Sequence, residues 1–257
     1  MKQPTLKIAL VQTTLIWEDP DQNRKLFSEK FDQLTQDVDL IVLPEMFSTG
    51  FTMNPQNIPI SEGQKTIDWM LQEATKLNAA IVGSILFHEE GRYTNRLFFV
   101  QPNGTFAHYD KRHTFTLAGE DKVYQAGNKK LIVEYKGFRI CPLICYDLRF
   151  PVWARNVENY DVLIYVANWP TPRVAAWDTL LKARAIENMA YCIGVNRCGT
   201  DDSGYAYSGH SAIFDCLGTP LAFSNEETVL YATLRKDHIE QTRNKLKFLE
   251  DRDNFNW

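Results

Sequence analysis

The sequence predicts an α/β fold of four layers, α-β-β-α, with two mixed sheets stacked face to face and helices outside. Apolar runs of strand length alternate with amphipathic stretches through most of the chain. Hairpin signals interrupt that alternation, so the sheets must hold antiparallel as well as parallel pairs. A mixed sheet with crossover helices on one face still has a second apolar face to cover, and another sheet covers it. No linker, repeat or low-complexity tract divides the 257 residues, so one domain spanning residues 1–257 is expected.

The elements follow in order. Leu6 to Gln12 is an apolar strand, and Asp21 to Gln36 carries Leu26, Phe27, Phe31 and Leu34 at helical spacing. Asp39 to Leu43 returns to strand, which makes a strand–helix–strand opening. Ser61, with Gln64 three residues on, predicts a capped start for a helix bearing Ile67, Met70, Leu71 and Ala74. A strand at Ala79 to Phe87 comes next. Arg96 to Gln101 and Thr105 to Lys111 then read as a hairpin around Pro102-Asn103-Gly104, and Leu131 to Tyr135 and Phe138 to Ile144 as another around Lys136-Gly137. A short helix from about Pro151, a strand at Asp161 to Ala167, a helix near Arg173 to Asn188 and a strand at Tyr191 to Asn196 restore the earlier rhythm. Ser211 to Asp215 and Val229 to Leu234 read as a closing hairpin.

Composition narrows the function. A net charge of -4, with both signs mixed along the chain, offers no basic block for a phosphate backbone and argues against a nucleic-acid partner. No secretory leader or bilayer-length apolar run is visible, so a cytoplasmic protein without membrane contact is expected. Cys141, Cys145, Cys192, Cys198 and Cys216 form no C-x-x-C pair and read as free thiols. The five histidines, His88, His108, His113, His210 and His238, show no zinc-ligand spacing, and neither a metal nor another cofactor is expected.

Three residues stand out by position. Cys145 ends the apolar run FRICPLIC just before a turn into a helix, where oriented N–H groups favour a thiolate. Glu45 follows the strand DLIVLP directly, at the place where open α/β sheets hold ligands. Lys111 ends the strand of HYDKRH. Taken singly, each has an ordinary reading: a buried cysteine, a solvated loop glutamate, a solvent-facing lysine. Together they supply a nucleophile, a base and a cation for a tetrahedral oxyanion, with no need of histidine or metal.

With these residues in place, the chain resembles the nitrilase superfamily of carbon–nitrogen hydrolases over nearly its whole length. The matching segments are LIVLPEMFSTGF around Glu45, YDKRHTF around Lys111 and ICPLICYDLRFP around Cys145, supported by NWP at Asn168 to Pro170 and ARAIEN at Ala183 to Asn188. CYDLRFP, STGF and the short chain are most similar to the omega-amidase branch, with its bacterial YafV-type members. The resemblance implies the four-layer sandwich, a homodimer, and a second glutamate between the lysine and cysteine motifs. Glu120, in AGEDKVYQAG, fits that position, although by sequence alone it is an exposed loop residue.

The expected chemistry is hydrolysis of an amide through a thioester. Glu45 takes the thiol proton, Lys111 and the backbone N–H of Tyr146 hold the oxyanion, and Glu120 positions Lys111. Lys111→Ala is then expected to cripple the protein without unfolding it. The resemblance implies a small dicarboxylic monoamide as substrate, such as a 2-oxo acid made from glutamine or asparagine. Arg149, Arg173 and Arg112 are candidates for its far carboxylate, and Phe51, Tyr146 and Trp169 for the pocket wall. Nitrile or N-carbamoyl hydrolysis on the same scaffold stays open, as does a non-catalytic binding protein. Helices after Cys145 and near 173–188 could form the dimer interface, and the aromatic tail FLEDRDNFNW could pack on a partner or on its own core.

Overall fold

Period-two burial organises the molecule, seen in a computed structural model that describes residues 3–253. The first part of the chain runs β1 (Thr5–Gln12), α1 (Pro20–Asp32), β2 (Leu40–Val42), α2 (Glu62–Leu77), β3 (Ala80–Glu89), β4 (Arg92–Val100) and β5 (Phe106–Asp110). Next come β6 (Val133–Tyr135), β7 (Phe138–Ile144), α3 (Pro151–Ala154), β8 (Val162–Ala167), α4 (Val174–Asn188) and β9 (Tyr191–Asn196). The chain finishes with β10 (Cys198–Thr200), β11 (Ala206–Ser208), β12 (Ser211–Phe214), β13 (Pro220–Ser224), β14 (Thr228–Arg235) and α5 (Lys236–Leu246).

One six-stranded sheet has the order β14-β1-β2-β3-β4-β5 and the other β13-β12-β9-β8-β7-β6. Each holds three adjacent strands in parallel, β1-β2-β3 and β7-β8-β9, with antiparallel strands outside them. Along the first sheet Leu6, Ile8, Leu10, Leu40, Val42, Ala80, Val82, Leu97 and Phe99 join one core with Cys141, Leu143 and Ile144 of the second sheet. Their sequence neighbours Ala9, Val11, Ile41, Ile81, Phe98 and Val100 point the other way, onto Phe27 and Phe31 of α1 and Ile67, Met70 and Ala74 of α2. Alternation within single strands therefore fills two separate layers, as the pleat requires. On the far face of the second sheet, α4 lies directly on β9. A Cβ on Gly194 would come within 2.4 Å of Leu181 and 2.7 Å of Trp177, so that contact needs glycine. The four layers expected from sequence are present.

Local signals explain most boundaries. Asp19 accepts the Gln22 N–H at 3.0 Å and Pro20 opens α1. The turns Glu90-Gly91 and Lys136-Gly137 have positive φ at both positions, the geometry that joins twisted antiparallel strands tightly. Ser61 departs from expectation: it is helical itself and its side chain caps nothing, while the Glu62 N–H donates to Pro59 O. The Ser61–Gln64 capping box is absent for that reason. α1 also stops at Asp32, short of the expected Gln36.

The closing hairpin is a second correction. β12 pairs with β9 and β13, whereas β14 crosses to the other sheet and pairs with β1 over eight residues, Thr5 with Arg235 through Gln12 with Thr228. Residues 211–215 and 229–234 thus belong to different sheets, and the connection from β13 to β14 passes from one layer to the other. No helix among the described residues is long and apolar enough to cross a membrane. Of the tail, Phe248 is exposed, and residues 254–257 lie outside the described residues.

Candidate active site

Three strand ends meet where the two sheets join. Glu45 follows β2, Lys111 follows β5, and Cys145 follows β7 at the head of a short 3-10 turn, Cys145–Arg149. Cys145 and Met46, beside Glu45, both have left-handed backbone, with φ of 41° and 43°. Such conformations cost on the order of 1–3 kcal/mol for ordinary residues and persist only where the surroundings enforce them. At Cys145 the enforcement comes from Asp147. Its buried carboxylate accepts the Ile144 N–H at 3.0 Å, the His113 N–H at 3.0 Å and the Tyr109 hydroxyl at 2.8 Å. The nucleophile turn is thereby tied to the segment that carries Lys111.

Lys111 is 1 % exposed and its ammonium donates to Glu45 Oε1 at 2.8 Å and to Glu120 Oε1 and Oε2 at 3.0 and 2.8 Å. Burial alone would push this ammonium down. The two carboxylates, Glu120 and then Glu45, outweigh that and hold it above its ordinary value. Glu120 is fully buried in the turn Glu120–Lys122. Burial raises its carboxyl above the usual range, and the nearby Glu45 charge adds to the rise against the pull of Lys111. Loop placement suggested an exposed glutamate. The Phe115 N–H and Lys111 make its burial tolerable by satisfying the carboxylate.

The Cys145 thiol lies 3.9 Å from the Asn168 carbonyl oxygen. Burial pushes it well above the ordinary thiol range, and the Glu45 charge pushes further, opposed by Lys111. The oriented N–H groups expected to favour a thiolate act from one short turn, against burial and a neighbouring carboxylate that both favour the thiol.

Two asparagines complete the cluster, and sequence reasoning gave neither a role. Asn168, in the NWP segment after β8, donates its backbone N–H to Glu45 Oε2 at 2.9 Å and its side-chain N–H to Glu45 O at 2.5 Å. Asn95, in the middle of β4, donates to Glu45 Oε1 at 2.8 Å. NWP was visible as a segment; nothing in RYTNRLFF marks Asn95.

Cys145 and Lys111 open into a cavity of about 300 Å³ that Phe51, Phe115, Tyr146, Asn168, Trp169 and Tyr207 help to line. Tyr146 stands edge-on to Phe115 and Phe150, and its N–H sits in the first turn of the 3-10 segment, where helical amides lack partners. Trp169 is held by its indole N–H, which donates to Arg173 O at 2.8 Å. Arg149 and Arg173 also reach the cavity, with guanidinium carbons 4.8 Å from the Trp169 ring centre and 5.2 Å from that of Phe115. Among the described residues no carboxylate pairs with either. Arg112 is elsewhere. It is exposed, lies over Trp153 and donates to Gly127 O, so it drops out as a binder for a ligand in this cavity.

The geometry offers a buried thiol, an adjacent carboxylate and an ammonium held by two carboxylates, in a cavity that two guanidiniums also reach. The profile of the carbon–nitrogen hydrolase family matches residues 7–244. The chain is 44 % identical to the omega-amidase YafV of Yersinia enterocolitica, over 98 % of each chain. It is 30 % identical to a 2-oxoglutaramate amidase of Bacillus subtilis, over 95 % of this chain and 96 % of that one. A CN-hydrolase superfamily protein from Xanthomonas campestris, whose crystal structure carries an arsenic adduct in the active site, superposes with a TM-score of 0.95 at 39 % identity. That match covers 98 % of this chain and 99 % of the other.

Proposed function

We propose, from the premise that this chain belongs to the carbon–nitrogen hydrolase family and is an amidohydrolase, that it cleaves the terminal amide of a small dicarboxylic monoamide through a thioester on Cys145. The substrate is of the 2-oxoglutaramate or 2-oxosuccinamate type. Supporting this reading above all is one observation: the Cys145 thiol shares its cavity with Lys111, itself bonded to Glu45 and Glu120, and with two guanidiniums that pair with no carboxylate among the described residues.

In the first half-reaction the sulfur attacks the amide carbon as Glu45 takes the thiol proton. Burial and the Glu45 charge both favour the thiol over the thiolate, so the attack calls for that base. The oxyanion is held by Lys111 Nζ and the Tyr146 N–H. Collapse breaks the carbon–nitrogen bond, and the nitrogen leaves as ammonia with the proton from Glu45. In the second half-reaction water attacks the thioester, Glu45 takes its proton and returns it to the departing sulfur, and the acid is released. Glu120 keeps Lys111 in place and charged throughout. Arg149 and Arg173 receive the carboxylate at the far end, with Trp169 and Tyr146 as walls. A cavity of about 300 Å³ suits a five-carbon chain.

The protein is further proposed to work as a homodimer through the face of α3 and α4, where Val152 and Ile186 stay exposed; sedimentation at micromolar concentration tests this. The reading itself is tested by ammonia release from glutamine, asparagine, their 2-oxo analogues, a matching nitrile and an N-carbamoyl amino acid. The 2-oxo amides should turn over fastest. Faster turnover of the nitrile or the N-carbamoyl compound would replace the proposed substrate class.

A further inference from the structure

We infer that Asn95 is a positioning residue that sets the basicity of the Glu45–Glu120 pair and leaves Glu45 Oε2 as the oxygen that works on the thiol. Four hydrogen bonds form a closed ring. Lys111 Nζ donates to Oε1 of Glu45 and of Glu120 at 2.8 and 3.0 Å, and Asn95 Nδ2 donates to the same two atoms at 2.8 and 3.1 Å. One cation and one neutral amide thus hold two buried carboxylates against each other.

The strand register builds this ring. Arg96 pairs with Asp110 across β4 and β5, and the next step down the ladder sets the Lys111 N–H on Asn95 O at 3.0 Å. Asn95 and Lys111 are therefore neighbours by backbone, and their side chains address the same oxygens. The other amide atom, Asn95 Oδ1, is buried without a hydrogen-bond partner. Turning the amide over would aim that oxygen at both carboxylates, so its orientation is fixed. A buried polar atom left unpaired is costly. An apolar side chain of the same size would avoid the loss if packing were all this position had to provide.

Since Oε1 of Glu45 already accepts from Lys111 and Asn95, Oε2 is left to the reaction, with the Asn168 N–H upon it. A donor on a carboxylate favours its charged form, so Asn95 lowers the pH at which the pair loses its base function. The titratable groups facing the ring are Lys111 after β5, Glu120 and Tyr124 from the following segment, and Cys145 on its turn. Tyr207, from β11, senses the Cys145 charge. Since Lys111 and Asn95 bridge Oε1 of both carboxylates, the acidic limb of any rate profile is assigned to the pair and not to either member.

This inference rests on Glu45 acting as base toward Cys145, as proposed above, but its test needs no amide substrate. The full-length protein is alkylated with iodoacetamide from pH 4 to 9, and the rate at Cys145 is followed by peptide mass. In Asn95→Leu the acidic limb should move up by about one pH unit or more. Asn95→Ser keeps a donor and should lie closer to wild type than Asn95→Ala. An unshifted limb in a folded Asn95→Leu protein would overturn the inference. If Asn95→Leu does not fold, identical limbs for Asn95→Ser and Asn95→Ala would do the same. Ammonia release by wild type, measured in parallel, reports separately on the proposed function. A shifted limb without any amide turnover would retain the role of Asn95 and refute the hydrolase reading.

Discussion

Asn168 donates its backbone N–H to Glu45 Oε2 at 2.9 Å, a bond between the end of β8 in one sheet and the end of β2 in the other. The Glu45 carboxylate is thus held by the opposite layer, and the same Asn168 turns its carbonyl toward the Cys145 sulfur. Any change in how the two sheets stack is felt at once by the carboxylate and the thiol, so the site requires a rigid sandwich. The shared core between the sheets provides that rigidity.

Removing the cation should do more than slow the reaction. Loss of one oxyanion donor costs about 10²–10³ in kcat. Lys111→Ala also leaves the Glu45 and Glu120 carboxylates buried together without their counter-ion, a change of the kind that costs about 3–5 kcal/mol. The sequence-based expectation of normal folding is therefore revised. Thermal unfolding of Lys111→Ala should show a clear drop in Tm, and Glu120→Gln in the same background should recover part of it.

Arginine substitutions should separate binding from chemistry. Arg149→Ala and Arg173→Ala are expected to raise KM at least tenfold for amides bearing a far carboxylate, with much smaller effects on short neutral amides. Steady-state kinetics on matched charged and neutral substrates checks this. Equal losses on both would remove the arginines from substrate recognition.

Asp147 should matter to stability through several donors at once. In Asp147→Ala the Tyr109 hydroxyl and the Ile144 N–H lose their acceptor in a fully buried place, at about 1–3 kcal/mol for each unsatisfied group. A Tm lowered by roughly 4 °C or more is expected for a chain of this size. Asn at the same position keeps one acceptor and should fall in between.

Alkaline pH should destabilise the protein. Burial raises the thiols of Cys141, Cys145 and Cys192 and the phenols of Tyr109, Tyr160 and Tyr165 above their ordinary values of 9.0 and 10.0. The sign follows from linkage: above about pH 9 the unfolded chain gives up protons that the native state keeps, so stability falls as pH rises. Each group that ionises only on unfolding contributes about 1.4 kcal/mol per pH unit. Tm should change little between pH 7 and 8.5 and drop with increasing steepness from 9 to 11. A flat profile to pH 11 would show those groups to be solvated.

How far the sequence reached depends on where each signal is stored. Strand identity and face are written in the alternation of residues such as Leu6, Ile8 and Leu10 against Ala9 and Val11, which local reading recovers. Pairing is stored non-locally. Val229 to Leu234 looks like half of a hairpin, yet its partner is β1, more than two hundred residues away, and no local pattern encodes that choice. The same division holds in the site. Glu45, Lys111 and Cys145 could be picked out because each ends a predicted strand and the three together supply a carboxylate, an ammonium and a thiol. Asn95 sits mid-strand in RYTNRLFF and resembles any outward polar residue, because only the fold turns its amide onto two carboxylates. Glu120 became visible through resemblance alone, its burial arising from a turn that closes over Lys111.

Covalent catalysis by Cys145 would leave an acyl group on the protein during turnover. Protein quenched in acid during turnover of a five-carbon 2-oxo amide, and then weighed intact, should gain the mass of the acyl group. Peptide mapping should place the gain on Cys145, and Cys145→Ala should show neither adduct nor ammonia. Ammonia release at the wild-type rate by Cys145→Ala, or an acyl group mapped to any other residue, would contradict the account.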